Sequence, residues 1–126
     1  MNDVKSSARQ LHERGYVHRD IKPDNFLVHN PDGTGHLVLI DLGISKKWQD
    51  DEGRHLPMSK GNDFFGTCRY ASINAHQGLE QSRRDDMESL AYTLAFLLTG
   101  KLPWEAPDGD VGKVRTPLVN LALCRR

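Results

Sequence analysis

The chain has 126 residues, enough for one domain with a moderate hydrophobic core. Hydrophobic residues make up 37% and charged residues 27%, which is typical of a globular protein and excludes a disordered one. Lysine and arginine together number 17, as do aspartate and glutamate, and this neutral balance argues against a dedicated nucleic-acid or membrane-surface binder.

Neither the apolar runs nor the cysteines indicate an exported or membrane protein. The longest apolar stretch, Leu90–Leu98, is interrupted by Thr93 and is far shorter than the ~20 residues of a membrane span. The N-terminal segment has no apolar signal-peptide core. Cys68 and Cys124 form no CxxC pair, and the histidines lack metal-ligand spacing. We therefore expect an intracellular protein, in the cytoplasm or the nucleus, with no membrane partner.

The first third of the chain is predicted to be a helix followed by a β-hairpin. Apolar residues recur at helical spacing from Val4 to Leu11, and Gly15 is a suitable C-terminal cap. After a charged cluster, two short β-type runs, Phe26–Val28 and Leu37–Ile40, flank a segment rich in Asn, Pro, Asp and Gly. This turn chemistry predicts that the two runs pair as an antiparallel hairpin.

The remainder is predicted to be a long loop and one central helix. Residues 44–65 contain two glycines, a proline and many charges with little periodicity, which favours a loop. Regular apolar spacing predicts a helix near Asp86–Thr99. Asp85 and Glu88 fit a capping box at its start, and Gly100 fits its end. The predicted fold class is therefore mainly α with one short β-hairpin.

The charged cluster before the hairpin combines side chains suited to magnesium and phosphate. Asp20 and Asn25 lie five residues apart, and Asp41 follows the second predicted strand. The hairpin would bring Asp41 back beside Asn25, and carboxylate and amide oxygens are ligands that Mg²⁺ accepts. Lys22 can neutralise a transferring phosphoryl group, and Asp20 can accept a hydroxyl proton. We expect these four side chains to converge in one cleft.

The order of these residues matches a known pattern. His18–Asn25 reads H-R-D-x-K-x-x-N, and D-x-G follows the hairpin, as in the catalytic loop and metal motif of protein kinases. The run GTCRYASINAHQGLEQSRRDDMESLAYTLAFLLTGKLPW, residues 66–104, resembles the casein kinase 1 family of protein Ser/Thr kinases. Ser72-Ile73-Asn74 replaces the usual A-P-E, as it does in that family, and Leu42 replaces the phenylalanine of D-F-G.

The resemblance implies a role for each residue of the motif. Asp20 would be the catalytic base that orients the substrate hydroxyl. Lys22 would contact the γ-phosphate of ATP, and Asn25 and Asp41 would hold Mg²⁺. His18 would pack under the loop as structural support. The implied cofactors are therefore ATP and Mg²⁺.

Further residues are implied to position the loop and the substrate. Asp86 would accept hydrogen bonds from the catalytic-loop backbone, although N-capping of the helix is the alternative for Asp85 and Asp86. Arg19 and Arg69 would form an anion site that favours protein substrates with acidic or phosphorylated residues near the target Ser/Thr. The alternative is that Arg69 only pairs with a loop carboxylate. Thr67 is predicted only as a candidate phosphorylation site.

The resemblance also implies a domain division. Residues 1–107 would be part of the large, C-terminal lobe of a kinase domain, and residues 108–126 a divergent tail that we expect to be poorly ordered. No Gly-rich loop or strand lysine precedes His18, so we expect the chain by itself to be inactive. Two alternatives stay open. One is a non-catalytic, pseudokinase-like binding module; the other is a small-molecule phosphotransferase, against which Lys22 and the GTCRYAS segment argue.

Overall fold

A computed structural model describes residues 2–31, 33 and 35–105 of the chain, and the predicted tail lies outside these residues. Within them, the predicted combination of helices with a short hairpin is confirmed. No helix in these ranges is long and apolar enough to cross a membrane. The elements, in chain order, are α1 (Asn2–Glu13), β1 (Tyr16–Val17), a 3-10 helix (Pro23–Asn25), β2 (Phe26–His29), β3 (His36–Leu39), β4 (Lys46–Lys47), α2 (Ile73–His76) and α3 (Arg83–Thr99).

The predicted hairpin is confirmed, with its strand ends shifted by one residue. Strands β2 and β3 pair antiparallel from Phe26 opposite Leu39 to His29 opposite His36. A second two-stranded ribbon, which the sequence did not indicate, pairs β1 with β4 through Val17 and Lys46. Each of its strands has two residues, too few for a period of two to be visible.

Helix α3 begins three residues before the predicted start, and the predicted capping box is wrong. Ser82 is the N-cap, and its backbone N–H donates to Asp85 Oδ2 at 2.8 Å. Asp85 is therefore residue N3 of the capping box and not its N-cap. The pattern formed by Ser82 and Asp85 lies one helical turn before the predicted pair, Asp85 and Glu88. The predicted end is confirmed: Gly100 adopts a left-handed φ of 74° and donates its N–H to Phe96.

Two apolar clusters hold the elements together. In the first, buried residues of α1, the loop before β2, and α3 pack with partly buried residues of the hairpin and α3: Ala8, Ile21 and Leu90 with Phe26, Leu37, Leu39 and Leu94. In the second, buried residues of the segment before α2 and of the segment after α3 pack with partly buried residues of α3: Tyr70, Leu102 and Trp104 with Tyr92, Ala95 and Phe96. The loop between β1 and β2 therefore lies over the first core, next to the start of α3.

The long loop predicted over residues 44–65 starts with β4 and is otherwise largely irregular. It is attached to the rest of the protein by Trp48. The indole N–H of Trp48 donates to His12 O at 3.0 Å, and the Arg83 guanidinium lies 3.7 Å from the centre of its ring. These contacts fix the first part of the loop against α1 and α3.

Candidate active site

Asp86, in the first turn of α3, anchors the His18–Asn25 loop through hydrogen bonds to its backbone. Its carboxylate, only 1% exposed, accepts hydrogen bonds from His18 N at 2.8 Å and Arg19 N at 2.9 Å. His12 Nε2 donates to the same carboxylate at 2.7 Å. Because a buried carboxylate is costly unless it is fully hydrogen-bonded, this arrangement ties the loop backbone to the helix. It also stabilises the positive φ of 69° at Arg19, a conformation that non-glycine residues rarely adopt.

His18 connects the loop to the end of the hairpin. Its ring is fully buried; Nε2 lies 2.9 Å from Ile40 O, and Nδ1 accepts the N–H of Asp20 at 3.2 Å. The hydrogen therefore resides on Nε2, since a carbonyl oxygen can only accept. Ile40 N in turn donates to Asn25 O at 2.9 Å. The loop, the hairpin and the start of α3 thus form one hydrogen-bonded unit.

Three of the four predicted cleft residues lie together. Lys22 Nζ is 3.0 Å from Asp20 Oδ2, and Asn25 Nδ2 donates to the same oxygen at 3.2 Å and to Asp20 O at 2.8 Å. The other carboxylate oxygen of Asp20 accepts the hydroxyl of Thr67 at 2.7 Å. Thr67 also accepts a hydrogen bond from Lys22 Nζ at 3.0 Å. Both oxygens of Asp20 are therefore held in a fixed orientation.

These partners determine the charge of Asp20. Partial burial acts to raise the pKa of its carboxyl, but the hydrogen bonds from Thr67, Lys22 and Asn25 and the charge of Lys22 outweigh that effect. The net result is a pKa below the ordinary value for aspartate. Asp20 is consequently ionised at neutral pH, the state in which a carboxylate can orient and accept the proton of a hydroxyl group.

Thr67 is the site residue that sequence reasoning missed. It reaches Asp20 because Gly66, with a φ of 105°, runs directly against the Arg19 carbonyl, where any side chain would collide. The adjacent Gly-Thr pair after a long loop was the available signal. A hydroxyl in a loop more often takes part in turn chemistry, and nothing in the sequence joins Thr67 to a residue 47 positions earlier.

Asp41 follows Ile40, whose backbone N–H donates to Asn25 O. It follows the hairpin with a positive φ of 65°, its side chain is exposed, and Oδ1 accepts the N–H of Gly43 at 3.2 Å. In the described part of the chain, no hydrogen bond or ion pair joins Asp41 to Asp20, Lys22 or Asn25. Its convergence with them in one cleft stays a prediction.

The oxygen atoms that Asn25 and Asp41 offer are of the kind that a magnesium ion prefers. The amide nitrogen of Asn25 is occupied by its two bonds to Asp20, which leaves Oδ1 available as an acceptor. Asp41 offers a carboxylate oxygen beyond the one bonded to Gly43. Mg²⁺ takes hard oxygen ligands, commonly one or two from the protein together with phosphate and water. Between residues 2 and 105, as far as they are described, no three His, Cys, Asp or Glu side chains group as a metal site.

Arg19 and Lys46 both line a small cavity. The guanidinium of Arg19 donates from Nε to Ile44 O at 2.6 Å and lies 4.4 Å from the centre of the Phe65 ring. Burial lowers the pKa of Arg19, while the charges of Glu80 and Asp86 act to raise it. The cavity is lined by Arg19, Lys46, Asn62, Asp63, Phe65, Leu79, Glu80 and Gln81.

Arg69 lies in a different setting from Arg19. Its Nε is 2.9 Å from Glu105 Oε1, and its guanidinium lies 5.6 Å from the centre of the Phe96 ring. This is the pairing with a loop carboxylate that was the alternative for Arg69. Among the residues that the structure describes, no hydrogen bond or ion pair joins the two arginines, and Arg69 does not line the cavity beside Arg19.

Comparisons with known proteins agree with the motif. Residues 1–121 match the family model described as the protein kinase domain. Over 109 residues the chain is 49% identical to casein kinase 1-like protein HD16 from Oryza sativa subsp. japonica, covering 83% of this chain and 15% of that relative. The chain thus spans less than a sixth of the length of this relative. It belongs to the protein kinase family, and its resemblance to the casein kinase 1 branch is confirmed.

Proposed function

We propose that the chain is the large-lobe part of a protein Ser/Thr kinase of the casein kinase 1 type, which transfers the γ-phosphate of ATP to protein substrates. The observation that carries this proposal is the cluster in which Thr67, Lys22 and Asn25 fix both oxygens of an ionised Asp20. Family membership supports kinase activity. The proposal also places the protein inside the cell, in the cytoplasm or nucleus.

Each residue of the cluster has a separate role in the proposed phosphoryl transfer. Asp20 orients the hydroxyl of a substrate Ser or Thr and accepts its proton. Lys22 neutralises negative charge on the transferring phosphoryl group. The hydroxyl of Thr67 is hydrogen-bonded to both Asp20 and Lys22 and keeps their side chains in position. Asn25 and Asp41 would hold Mg²⁺, which neutralises phosphate charge when bound. Most of the catalysis proposed here is positioning and electrostatic stabilisation.

Substrate selection is proposed to depend on the cavity beside Arg19. Arg19 and Lys46 both line it, and guanidinium and ammonium groups suit acidic or phosphorylated side chains. Lys46 is 2.8 Å from Glu80 Oε1, so an incoming anion would compete with that carboxylate. Arg69 contributes less in this proposal than the sequence suggested, because Glu105 already neutralises it.

The test is phosphorylation of an acidic peptide by the chain joined to the small lobe of a casein kinase 1 relative, with Mg-ATP. Asp20→Asn is expected to reduce kcat by about 10²–10⁴-fold. Asp24→Asn is the matched control, because Asp24 is an exposed aspartate of the same loop, and it is expected to leave kcat within about twofold. Equal activity of wild type and Asp20→Asn would exclude the proposed role of Asp20.

A further inference from the structure

His76, the last residue of α2, contacts the chain on both sides of Thr67. Its ring stacks on that of Phe64, with centres 5.3 Å apart and planes 23° from parallel. Its Nε2 donates to the backbone oxygen of Cys68 at 3.1 Å. One half-buried side chain thus holds the segment Phe64–Cys68 at its two ends, and the Gly66-Thr67 pair lies between them.

Helix α2 is itself firmly attached to α3. Ser72 Oγ and Asn74 Nδ2 both donate to Asp85 Oδ1, at 2.8 and 3.1 Å. Ile73 N donates to Glu88 Oε1 at 2.9 Å. Asp85 is 1% exposed, so the carboxylate that accepts two of these bonds is shielded from water. His76 therefore extends from a rigid support, the same first turns of α3 that hold the His18–Asn25 loop.

We infer that His76 is a positioning residue that holds Thr67 against Asp20; this rests on the proposed function of Asp20. The 2.7 Å hydrogen bond from Thr67 to Asp20 is lost if Thr67 moves by about 1 Å. Thr67 lies in a segment that is partly exposed to solvent, since Phe64 in the same segment is 40% exposed. His76 joins that segment to the rigid part of the fold. Its role is indirect, since it contacts neither Asp20 nor Lys22.

The chemistry of the contact explains why a histidine suits this position. Burial lowers the pKa of His76 against the opposing effects of its bond to Cys68 O and the charge of Glu88, so the ring is neutral near pH 7. The neutral ring offers a flat face to Phe64 and one N–H to Cys68 O. A glutamine can donate a similar hydrogen bond, and a phenylalanine can provide the stacking face alone.

The test measures the pKa of Asp20 by NMR titration of its side-chain carboxyl carbon in the 126-residue chain. In His76→Ala, a loosened Thr67 is expected to raise the pKa of Asp20 by about 0.5 or more, and His76→Gln is expected to restore most of the wild-type value. His29→Ala, an exposed histidine of β2, is the matched control and should leave this pKa unchanged. A purely structural role for His76 would lower global stability without moving the pKa of Asp20 in the folded state.

A second variant keeps the inference open to refutation if His76→Ala does not fold. His76→Phe retains the stacking face but leaves Cys68 O without its donor, and it should also raise the pKa of Asp20. An unchanged Asp20 pKa in a folded His76→Ala or His76→Phe protein would overturn the inference.

A kinetic measurement separates this inference from the proposed function. In the small-lobe fusion, His76→Ala is expected to lower kcat by about 3- to 10-fold with little change in KM for ATP, and His76→Gln to restore it. If the pKa of Asp20 responds to His76 while the fusion transfers no phosphate, the proposed function fails and the positioning of Thr67 by His76 stands. If the fusion is active but indifferent to His76, the positioning role alone is refuted.

Discussion

The hydroxyl of Thr67 donates to Asp20 across 2.7 Å, although 47 positions separate the two residues in the chain. Between them lie the hairpin and the whole long loop, so the contact forms only when both have folded. Its consequence is electrostatic as well as geometric, because the hydrogen bond from Thr67 is among the interactions that lower the pKa of Asp20. The segment Phe64–Cys68 and the His18–Asn25 loop are thereby joined at the carboxylate that is proposed to act as the base.

Replacing Thr67 by valine, which has the same shape but no hydroxyl, is expected to lower kcat of the small-lobe fusion by about tenfold. The physical reason is that Asp20 Oδ1 and Lys22 Nζ both lose a partner, and the net value of such bonds is about 0.5–1.5 kcal/mol each. Steady-state kinetics with an acidic peptide measure the effect. Thr67→Ser keeps the hydroxyl and should remain within about threefold of wild type; equal loss in both variants would contradict the prediction.

Asp86→Ala is expected to destabilise the fold by about 3–5 kcal/mol. The buried carboxylate accepts from His12, His18 N and Arg19 N, and its removal leaves these donors unsatisfied in the core. It also frees Arg19 to leave its positive φ. Urea denaturation followed by circular dichroism measures the change in the free energy of unfolding. Glu52→Ala, an exposed acid of the long loop, should change it by less than about 0.5 kcal/mol.

The central parts of the fold could be predicted from the sequence because they obey local rules. Two short β-type runs and the turn residues between them indicated the hairpin, and apolar spacing indicated α3. The four-residue α2 and the ribbon of β1 and β4 could not be predicted, since they are shorter than one clear period and depend on tertiary partners. The start of α3 was misplaced because Asp85 and Glu88 satisfy the same pattern as Ser82 and Asp85.

The same difference between local sequence patterns and tertiary contacts applies to the candidate site. Asp20, Lys22 and Asn25 lie within six residues of each other, so a sequence pattern could group them. The partners of Asp20 and Arg69 from distant segments, Thr67 and Glu105, depend on tertiary packing that no spacing encodes. Sequence reasoning therefore found the residues of the loop and missed Thr67, the distant partner that orients Asp20.

The contribution of Asp20 to stability is expected to disappear in acid. Its pKa is lowered by folding, so the stabilisation is fully present above the unfolded-state pKa of about 3.9 and is lost as pH falls through the lower folded-state pKa. Melting temperatures of wild type and Asp20→Asn, compared between about pH 6 and about pH 2, should therefore converge at the acid end. A difference that stayed constant over this range would show that the charge of Asp20 is not what its partners stabilise.

Lys46→Met is expected to weaken the preference of the small-lobe fusion for phosphorylated over unphosphorylated peptides, because it removes a cation from the cavity beside Arg19. Lys47→Met is the matched control, since Lys47 is the neighbouring residue of β4 and pairs with Asp51 instead. Arg69→Ala should have a smaller effect than Lys46→Met, because Glu105 already neutralises Arg69. Peptide-array phosphorylation at two salt concentrations measures the preference, which should fall with salt in wild type.

The 126-residue chain alone is expected to transfer phosphate poorly, with no saturation at millimolar ATP. It carries Asp20, which is proposed to orient a substrate hydroxyl, but its sequence includes no Gly-rich loop or strand lysine that would fix the α- and β-phosphates. Phosphoryl transfer depends on positioning, and an open site leaves each charge interaction weakened by water. Initial rates with an acidic peptide, compared with those of the small-lobe fusion, measure the difference. Robust turnover by the chain alone that Asp20→Asn abolishes and Asp24→Asn does not would mean that another element, such as a second copy of the chain, completes the nucleotide site.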